Sequence, residues 1–174
     1  YFMNLATRKG GLEPFSAAVD GSGSFEDESF IYAGEKIQEW VQNGYFPEGV
    51  NSLSEGDGQS KQLFYSEEAA MKMIGSWESG TYKADSEEFY NKLGWFPFPA
   101  VDDSDADASI QIGTMGDQFL SFNCEGEKLE AAFELLNYYF EDDYTQKMVD
   151  AGKIAPVKGV DALIEGELEK EIVT

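Results

Sequence analysis

The stretch FYSEEAAMKMIGSW at residues 64–77 decides the fold that this 174-residue sequence predicts. Small and apolar residues at 69–75 favour a β-strand, and Gly75-Ser76 then predicts a turn that leaves Trp77 at the end of that strand. In α/β folds, ligands bind in the crevice beside the carboxyl ends of the strands. Trp77 is therefore a candidate binding residue, because a flat indole ring suits the apolar face of a sugar.

The segment before this stretch predicts an amphipathic helix. Asp27 is its expected N-cap and Asn43-Gly44 its left-handed stop. We interpret Trp40 as a core residue, with ligand contact as the alternative, because it lies on the apolar face of this helix. Short helical turns are expected at 61–65 and 79–84. The apolar face consists of Phe30, Ala33, Ile37, Trp40 and Val41.

The segments after Trp77 continue the alternation of strands and helices. Residues 93–98, from LGWFPFPAV at 93–101, and residues 110–123 are strand-like, but Pro97 indicates a sheet edge or a strand end because proline cannot donate a ladder hydrogen bond. A long amphipathic helix follows, and then a shorter helix capped by Asp143 and stopped by Gly152. The expected buried face of the long helix consists of Leu129, Ala132, Phe133, Leu136, Tyr139 and Phe140.

Composition excludes several classes of function. The chain has 34 acidic and 12 basic side chains, a net charge of -22, which disfavours nucleic acid and acidic membrane surfaces as partners. Histidine is absent, so catalysis by serine–histidine or cysteine–histidine pairs and histidine-ligated metal sites are excluded. We expect no enzyme and no cofactor, although glycoside hydrolysis by two carboxylates stays open. The single Cys124 cannot form an internal disulfide.

The acidic segment DDSDADAS at 102–109 resembles the beginning of a calcium-binding loop. Ala108 and Thr114, however, stand where such a loop needs glycine and a bidentate glutamate. We therefore expect a solvated loop and no metal site.

Seven short motifs follow one another along the chain: Arg8-Lys9-Gly10-Gly11, Gly44-Tyr45-Phe46, Ala69-Ala70-Met71 with Gly75-Ser76-Trp77, Phe96-Pro97-Phe98-Pro99, Gly116-Asp117, Ala131–Leu136 (AAFELL) and Ala155-Pro156-Val157-Lys158. This ordered series resembles the extracellular solute-binding proteins of carbohydrate ABC importers. The resemblance spans nearly the whole chain, and its specificity comes from the order and spacing of the motifs. There are two departures from the family pattern, because Glu67-Glu68 and Gln118 stand where glycine is usual.

The resemblance implies the carboxy-terminal lobe of a two-lobed α/β receptor with a class II periplasmic-binding-protein-like fold. Residues 1–112 would form the ligand-binding region of this lobe, and 113–123 a hinge-like crossing. The helices at 124–152 would pack on the other lobe, and 153–174 would form a return crossing and a tail helix. We expect the amino-terminal lobe, with a signal or lipoprotein segment, upstream of Tyr1. Without that lobe, we expect Leu129, Phe133, Leu136 and Phe140 to be exposed.

The resemblance also implies the binding residues. Trp77 would stack on the sugar, Glu78 would accept hydrogen bonds from its hydroxyls, and Asp117 would face the cleft. Tyr1 and Trp95 are further candidates, and either can equally fill core space. For Trp77, packing under a loop is the structural alternative. For Asp117, the alternative is capping of the turn at Gly116.

The implied function is capture of a sugar or oligosaccharide outside the cell and its delivery to a membrane permease. The receptor would be a monomer, extracellular, at the cell surface or periplasmic. The alternatives are a binding protein for a peptide, polyamine or metal chelate, and a carbohydrate-active enzyme that uses carboxylates.

Overall fold

The computed structural model describes residues 1–110, 112 and 120–173, and the chain forms two compact units. Unit 1 comprises Tyr1–Met73 and Phe96–Gly113, and unit 2 comprises Ile74–Trp95 and Thr114–Thr174. The helices of unit 1 are α1 (Phe2–Gly10), α2 (Glu13–Asp20), α3 (Glu28–Gln42) and α4 (Gln59–Tyr65). Those of unit 2 are α5 (Glu78–Asp85), α6 (Glu87–Tyr90), α7 (Glu127–Asn137), α8 (Asp142–Asp150) and α9 (Glu167–Val173). Of the described helices, none has the length and apolarity needed to cross a membrane.

The core of unit 1 forms where α1 packs on α3. Leu5 and Ala6 of α1 are buried against Phe30 and Ala33 of α3. Phe2 stacks on Phe30, with ring centroids 6.1 Å apart and planes 9° from parallel. Full burial of a large apolar side chain contributes about 1.5–3 kcal/mol, so this contact stabilises unit 1.

The prediction for helix α3 is confirmed at both ends. The Asp27 carboxylate accepts a hydrogen bond from the backbone N–H of Ser29 at 2.9 Å, which is the expected N-cap. Gly44 follows the helix with φ of 71°, the left-handed conformation that glycine adopts without strain. Trp40 packs against the core, as predicted, whereas the placement of Val41 on the buried face is wrong because Val41 is exposed.

Arg8 ties a distant segment of unit 1 to helix α1. Its side chain is only 1% exposed. Nε and one terminal nitrogen donate to the carbonyl oxygen of Phe98 at 3.1 and 2.9 Å, and the other terminal nitrogen donates to the carbonyl oxygen of Ile110 at 2.6 Å. The hydroxyl of Ser104 donates to the carbonyl oxygen of Arg8 at 2.6 Å. A guanidinium presents its donors in a rigid fork, so one side chain can fix two points of this segment.

The strands predicted at 69–75 and 93–98 do not form, and most of the one predicted at 110–123 lies outside the described residues. The described architecture is helical, so the α/β prediction is wrong for this part of the chain. A strand requires a neighbour that pairs with its backbone. Around residue 98, Pro97 and Pro99 have no N–H to donate, and the carbonyl of Phe98 accepts from Arg8 instead.

Unit 2 is built around the close approach of α5 to the end of α8. The Ser79 hydroxyl is within hydrogen-bond distance of the carbonyl oxygens of Ser76 and Gly152, at 2.9 Å from each. A Cβ atom on Gly80 would overlap the carbonyl oxygen of Ala151. Glycine is therefore required here because two backbones touch. Further along α5, the buried ring of Tyr82 lies 5.9 Å from that of Phe89 in α6.

Gly80→Ala should lower the free energy of unfolding by about 1–2 kcal/mol, because overpacking costs about 1–3 kcal/mol and alanine regains up to ~1 kcal/mol of helix propensity. Gly34→Ala is the matched control, since the nearest atom to its Cβ would be Cε2 of Phe2 at 4.0 Å. That variant should be neutral or slightly stabilising. Urea unfolding measures both, and an equally stable Gly80→Ala protein would contradict the close approach.

The helices near the carboxyl end of the chain match the predicted positions, with three corrections. Helix α7 ends at Asn137, and Phe140 lies in a 3₁₀ turn at Tyr138–Phe140. Glu141, not Asp143, is the N-cap residue of α8, and Asp143 lies in its first turn, where a carboxylate favours the helix dipole. The predicted tail helix is divided into a 3₁₀ turn at Val160–Ala162 and helix α9.

The apolar face of α7 is incompletely covered. Phe133 is 51% exposed and Phe140 58%, as predicted, whereas Leu129 and Leu136 are half-buried. The ring of Phe122 covers part of Phe133, with centroids 5.4 Å apart. The expected exposure is therefore confirmed for the two aromatic residues only.

Candidate functional site

Trp77 lies at the N-terminal end of helix α5, where the structure places an exposed aromatic ring. Gly75 and Ser76 turn the chain, and the N–H of Glu78 donates to the carbonyl of Gly75 at 3.1 Å. The Trp77 ring rests directly over Gly75, because a Cβ atom there would overlap three atoms of the indole. Although the ring has this support, Trp77 is 63% exposed. The predicted turn is correct, but it leads into a helix and does not end a strand.

Glu78 follows as the first residue of α5 and is half-buried. A carboxylate in the first turn interacts favourably with the positive end of the helix dipole. Glu78 follows Trp77 directly in the sequence, so the same helix end carries a carboxylate and an indole ring, and Oε2 of that carboxylate is buried. That combination of groups suits a ligand with both hydroxyls and C–H faces.

The residues that hold Trp77 in place include two that the sequence reading missed. Ser79 donates a hydrogen bond to the backbone at 151–152, and Gly80 packs directly against it. These two contacts hold the N-terminal part of α5, which carries the indole, in place. The available signal was a glycine inside a helical segment, which often indicates close backbone approach. Ser79 gave no such signal, since a serine near a helix start is usually read as a cap.

Tyr1 and Trp95, the other aromatic candidates, lie in different units. Trp95 belongs to unit 2, as do Trp77 and Glu78, and its side chain is exposed. Tyr1 belongs to unit 1, where its ring meets Trp40 edge-on at 6.0 Å and Phe46 at 5.5 Å. Burial raises the pKa of the Tyr1 hydroxyl. This aromatic cluster gives Tyr1 a packing role in unit 1.

Asp117, the fifth candidate, lies outside the described residues, as does most of the predicted hinge at 113–123. No group of three or more acidic or cysteine side chains suited to a metal ion occurs in the described part of the chain. In the acidic segment, Asp107 is a local turn residue. Its carboxylate accepts from the hydroxyl and the N–H of Ser109, and these two bonds lower the pKa of Asp107.

Comparison with known protein families identifies the family of this chain. The model for bacterial extracellular solute-binding proteins matches residues 1–146. The chain belongs to this family. No curated protein matches the sequence. As a solute-binding protein, it has a ligand-capturing role in an ABC transporter, with a membrane permease as its general partner and an extracellular or periplasmic location. Proteins of this family are generally not enzymes.

In this solute-binding protein, Gly75→Ala should displace the Trp77 ring, because the new methyl group would occupy the space of the indole. Gly94→Ala is the matched control, since no atom lies within 4 Å of its Cβ position and it directly precedes Trp95. In ¹H–¹⁵N spectra, the indole N–H signal of Trp77 should move only in the first variant. An unmoved Trp77 signal in Gly75→Ala would contradict the stacked arrangement.

Proposed function

We propose that this solute-binding protein captures a carbohydrate and that Trp77 is the ring on which the sugar stacks. The observation that carries the proposal is the exposure of Trp77, 63%, combined with its support by Gly75. An aromatic side chain of this size is normally highly buried. A ring that is held in place and open to solvent is ready to receive the apolar face of a sugar without prior rearrangement.

The neighbouring groups supply the polar part of the proposed site. Glu78 accepts hydrogen bonds from sugar hydroxyls, which are stronger when the acceptor is an ionised carboxylate. Trp95 offers a second ring from the same unit, and Asp117 a second carboxylate. Tyr1 is the weakest member of the set, because its contacts with Trp40 and Phe46 already account for its position.

The proposed mechanism is binding followed by closure. Two lobes close around the sugar as hinged bodies, and the closed form is the one that the permease recognises. In this proposal the chain supplies the carboxy-terminal lobe of a monomeric receptor. No bond of the solute is broken, so the site needs shape, aromatic faces and hydrogen-bond acceptors but no catalytic pair.

A thermal-shift screen of the full-length protein tests the class of solute. A ligand that binds only the native state at 100 times its Kd stabilises it by about 2.7 kcal/mol, so the melting temperature rises. We expect a rise with a monosaccharide or an oligosaccharide. A rise with only spermidine, short peptides or a ferric chelate would replace the carbohydrate assignment, and release of shorter sugars from an oligosaccharide would indicate an enzyme.

A further inference from the structure

Unit 2 contains a cavity of about 240 Å³ that includes none of the proposed carbohydrate-binding residues. It lies beside the last turn of α5, the end of α8 and the segment that leads into α9. Its volume is below the ~300–1,000 Å³ that is usual for drug-sized ligands, so it suits a molecule of few atoms. Its charged lining residues are Lys83, Asp150, Lys153, Glu165 and Glu169, and Gly152 and Gly166 also line it.

Glu169 is the unusual member of this lining, because its carboxylate is buried and only half satisfied. The residue is 4% exposed. Oε2 accepts a hydrogen bond from the Tyr90 hydroxyl at 2.5 Å. Oε1 is buried and, within the part of the chain that the structure describes, has no hydrogen-bond partner. A buried polar atom without a partner is destabilising, more so when it is charged, so this oxygen favours a donor.

Two glycines shape the space around this carboxylate. A Cβ atom on Gly166 would overlap Oε2, and one on Gly152 would lie 3.7 Å from Oε1 and 2.7 Å from Cα of Gly80. The missing side chains thus leave room for the carboxylate beside the cavity. Burial, and then the hydrogen bond to Glu169, raise the pKa of the Tyr90 hydroxyl, so Tyr90 keeps its proton and continues to donate to Oε2. Oε1 keeps an acceptor capacity that none of the described residues uses.

The charges around the cavity have both signs. Lys83 and Lys153 line it with exposed ammonium groups, and Asp150 and Glu165 with exposed carboxylates. The Lys83 ammonium lies 5.8 Å from the centroid of the Tyr90 ring. An ionised carboxylate only accepts hydrogen bonds, and an ammonium group only donates them. A ligand that satisfies this lining therefore presents a donor to the carboxylates, including that of Glu169, and a negative group to the lysines.

We propose that this cavity binds a small zwitterion of the α-amino-acid type. Its ammonium group donates to Oε1 of Glu169, and its carboxylate lies toward Lys83 and Lys153. The lining contains no aromatic ring, in contrast to the Trp77 site. The two sites therefore differ in chemistry.

Isothermal titration of the full-length protein tests this proposal with four probes: glycine, ethylamine, acetate and ethylene glycol. Glycine should bind most tightly, because it alone carries both charges. Glu169→Gln should weaken glycine binding by about tenfold or more, since the amide nitrogen of glutamine can place a donor opposite the ammonium group. Glu167→Gln, an exposed position in the same helix, should leave glycine binding unchanged.

A second variant, Lys153→Met, tests the contact with the ligand carboxylate separately from that with its ammonium group. It also keeps the proposal testable if Glu169→Gln does not fold. Lys153→Met should weaken the binding of glycine but not that of ethylamine, and Trp77→Ala should change the binding of neither probe. Three outcomes would overturn the proposal: no binding of glycine to the unaltered protein, equal binding of glycine by the protein and by a folded Glu169→Gln variant, or binding of ethylamine as tight as that of glycine.

Discussion

Arg8→Met is expected to lower the free energy of unfolding by about 2–6 kcal/mol, because each of two carbonyls that lose their donor costs ~1–3 kcal/mol. These are the carbonyl oxygens of Phe98 and Ile110, which Arg8 joins to helix α1 from about ninety to one hundred residues away in sequence. Methionine fills much of the same space but donates no hydrogen bond. The variant should therefore loosen the segment around 98–110 while α1 still packs on α3.

Unfolding in guanidinium chloride measures this loss of stability, and two further variants serve as comparisons. Arg8→Lys keeps the charge but offers a single point of donation, so we expect an intermediate loss. Lys9→Met is the matched control, because the Lys9 ammonium donates to the Asp103 carbonyl at 2.8 Å on the exposed surface, where water can replace it. Its loss should stay within about 0.5 kcal/mol. Equal losses for Arg8→Met and Lys9→Met would contradict the role of Arg8.

The helices could be predicted because their signals are local. Helix α3 combines a cap at Asp27, an apolar face with helical spacing and a glycine stop, and all three lie within eighteen consecutive residues. The helical turns predicted at 61–65 and 79–84 also form, and they are slightly longer in the structure, as α4 and α5. A pattern that contains its own beginning and end does not depend on the rest of the chain.

The strands could not be predicted in the same way, because a strand forms only with a pairing strand, which the local sequence does not specify. Residues 69–75 have strand-like composition, yet Met71 and Met73 are exposed and no described segment pairs with them. Likewise, nothing in the residues around Arg8 distinguishes a buried arginine from a surface one. Its partners are two carbonyls far along the chain, and only the folded chain brings them together.

The candidate site contains both features that local sequence predicts and features that depend on long-range contacts. The Gly75-Ser76 turn and the accessible Trp77 follow from local sequence, although the element that Trp77 begins is a helix. The grouping of Trp77, Glu78 and Trp95 in one unit, with Tyr1 in the other, depends on long-range packing. The half-satisfied Glu169 gave no sequence signal at all, because a glutamate in an acidic helix is usually solvated.

Calorimetric titration of the full-length protein and its Trp77→Ala variant, with the carbohydrate identified by the thermal-shift screen, tests the central claim most directly. We expect the variant to lose about 1–3 kcal/mol of binding free energy, roughly 5- to 150-fold in Kd, because it loses one stacking contact and the burial that accompanies it. Tyr138→Ala, which removes another exposed aromatic ring of unit 2, is the control and should bind as the unaltered protein does. If Trp77→Ala binds the carbohydrate with unchanged affinity, Trp77 is not the stacking residue.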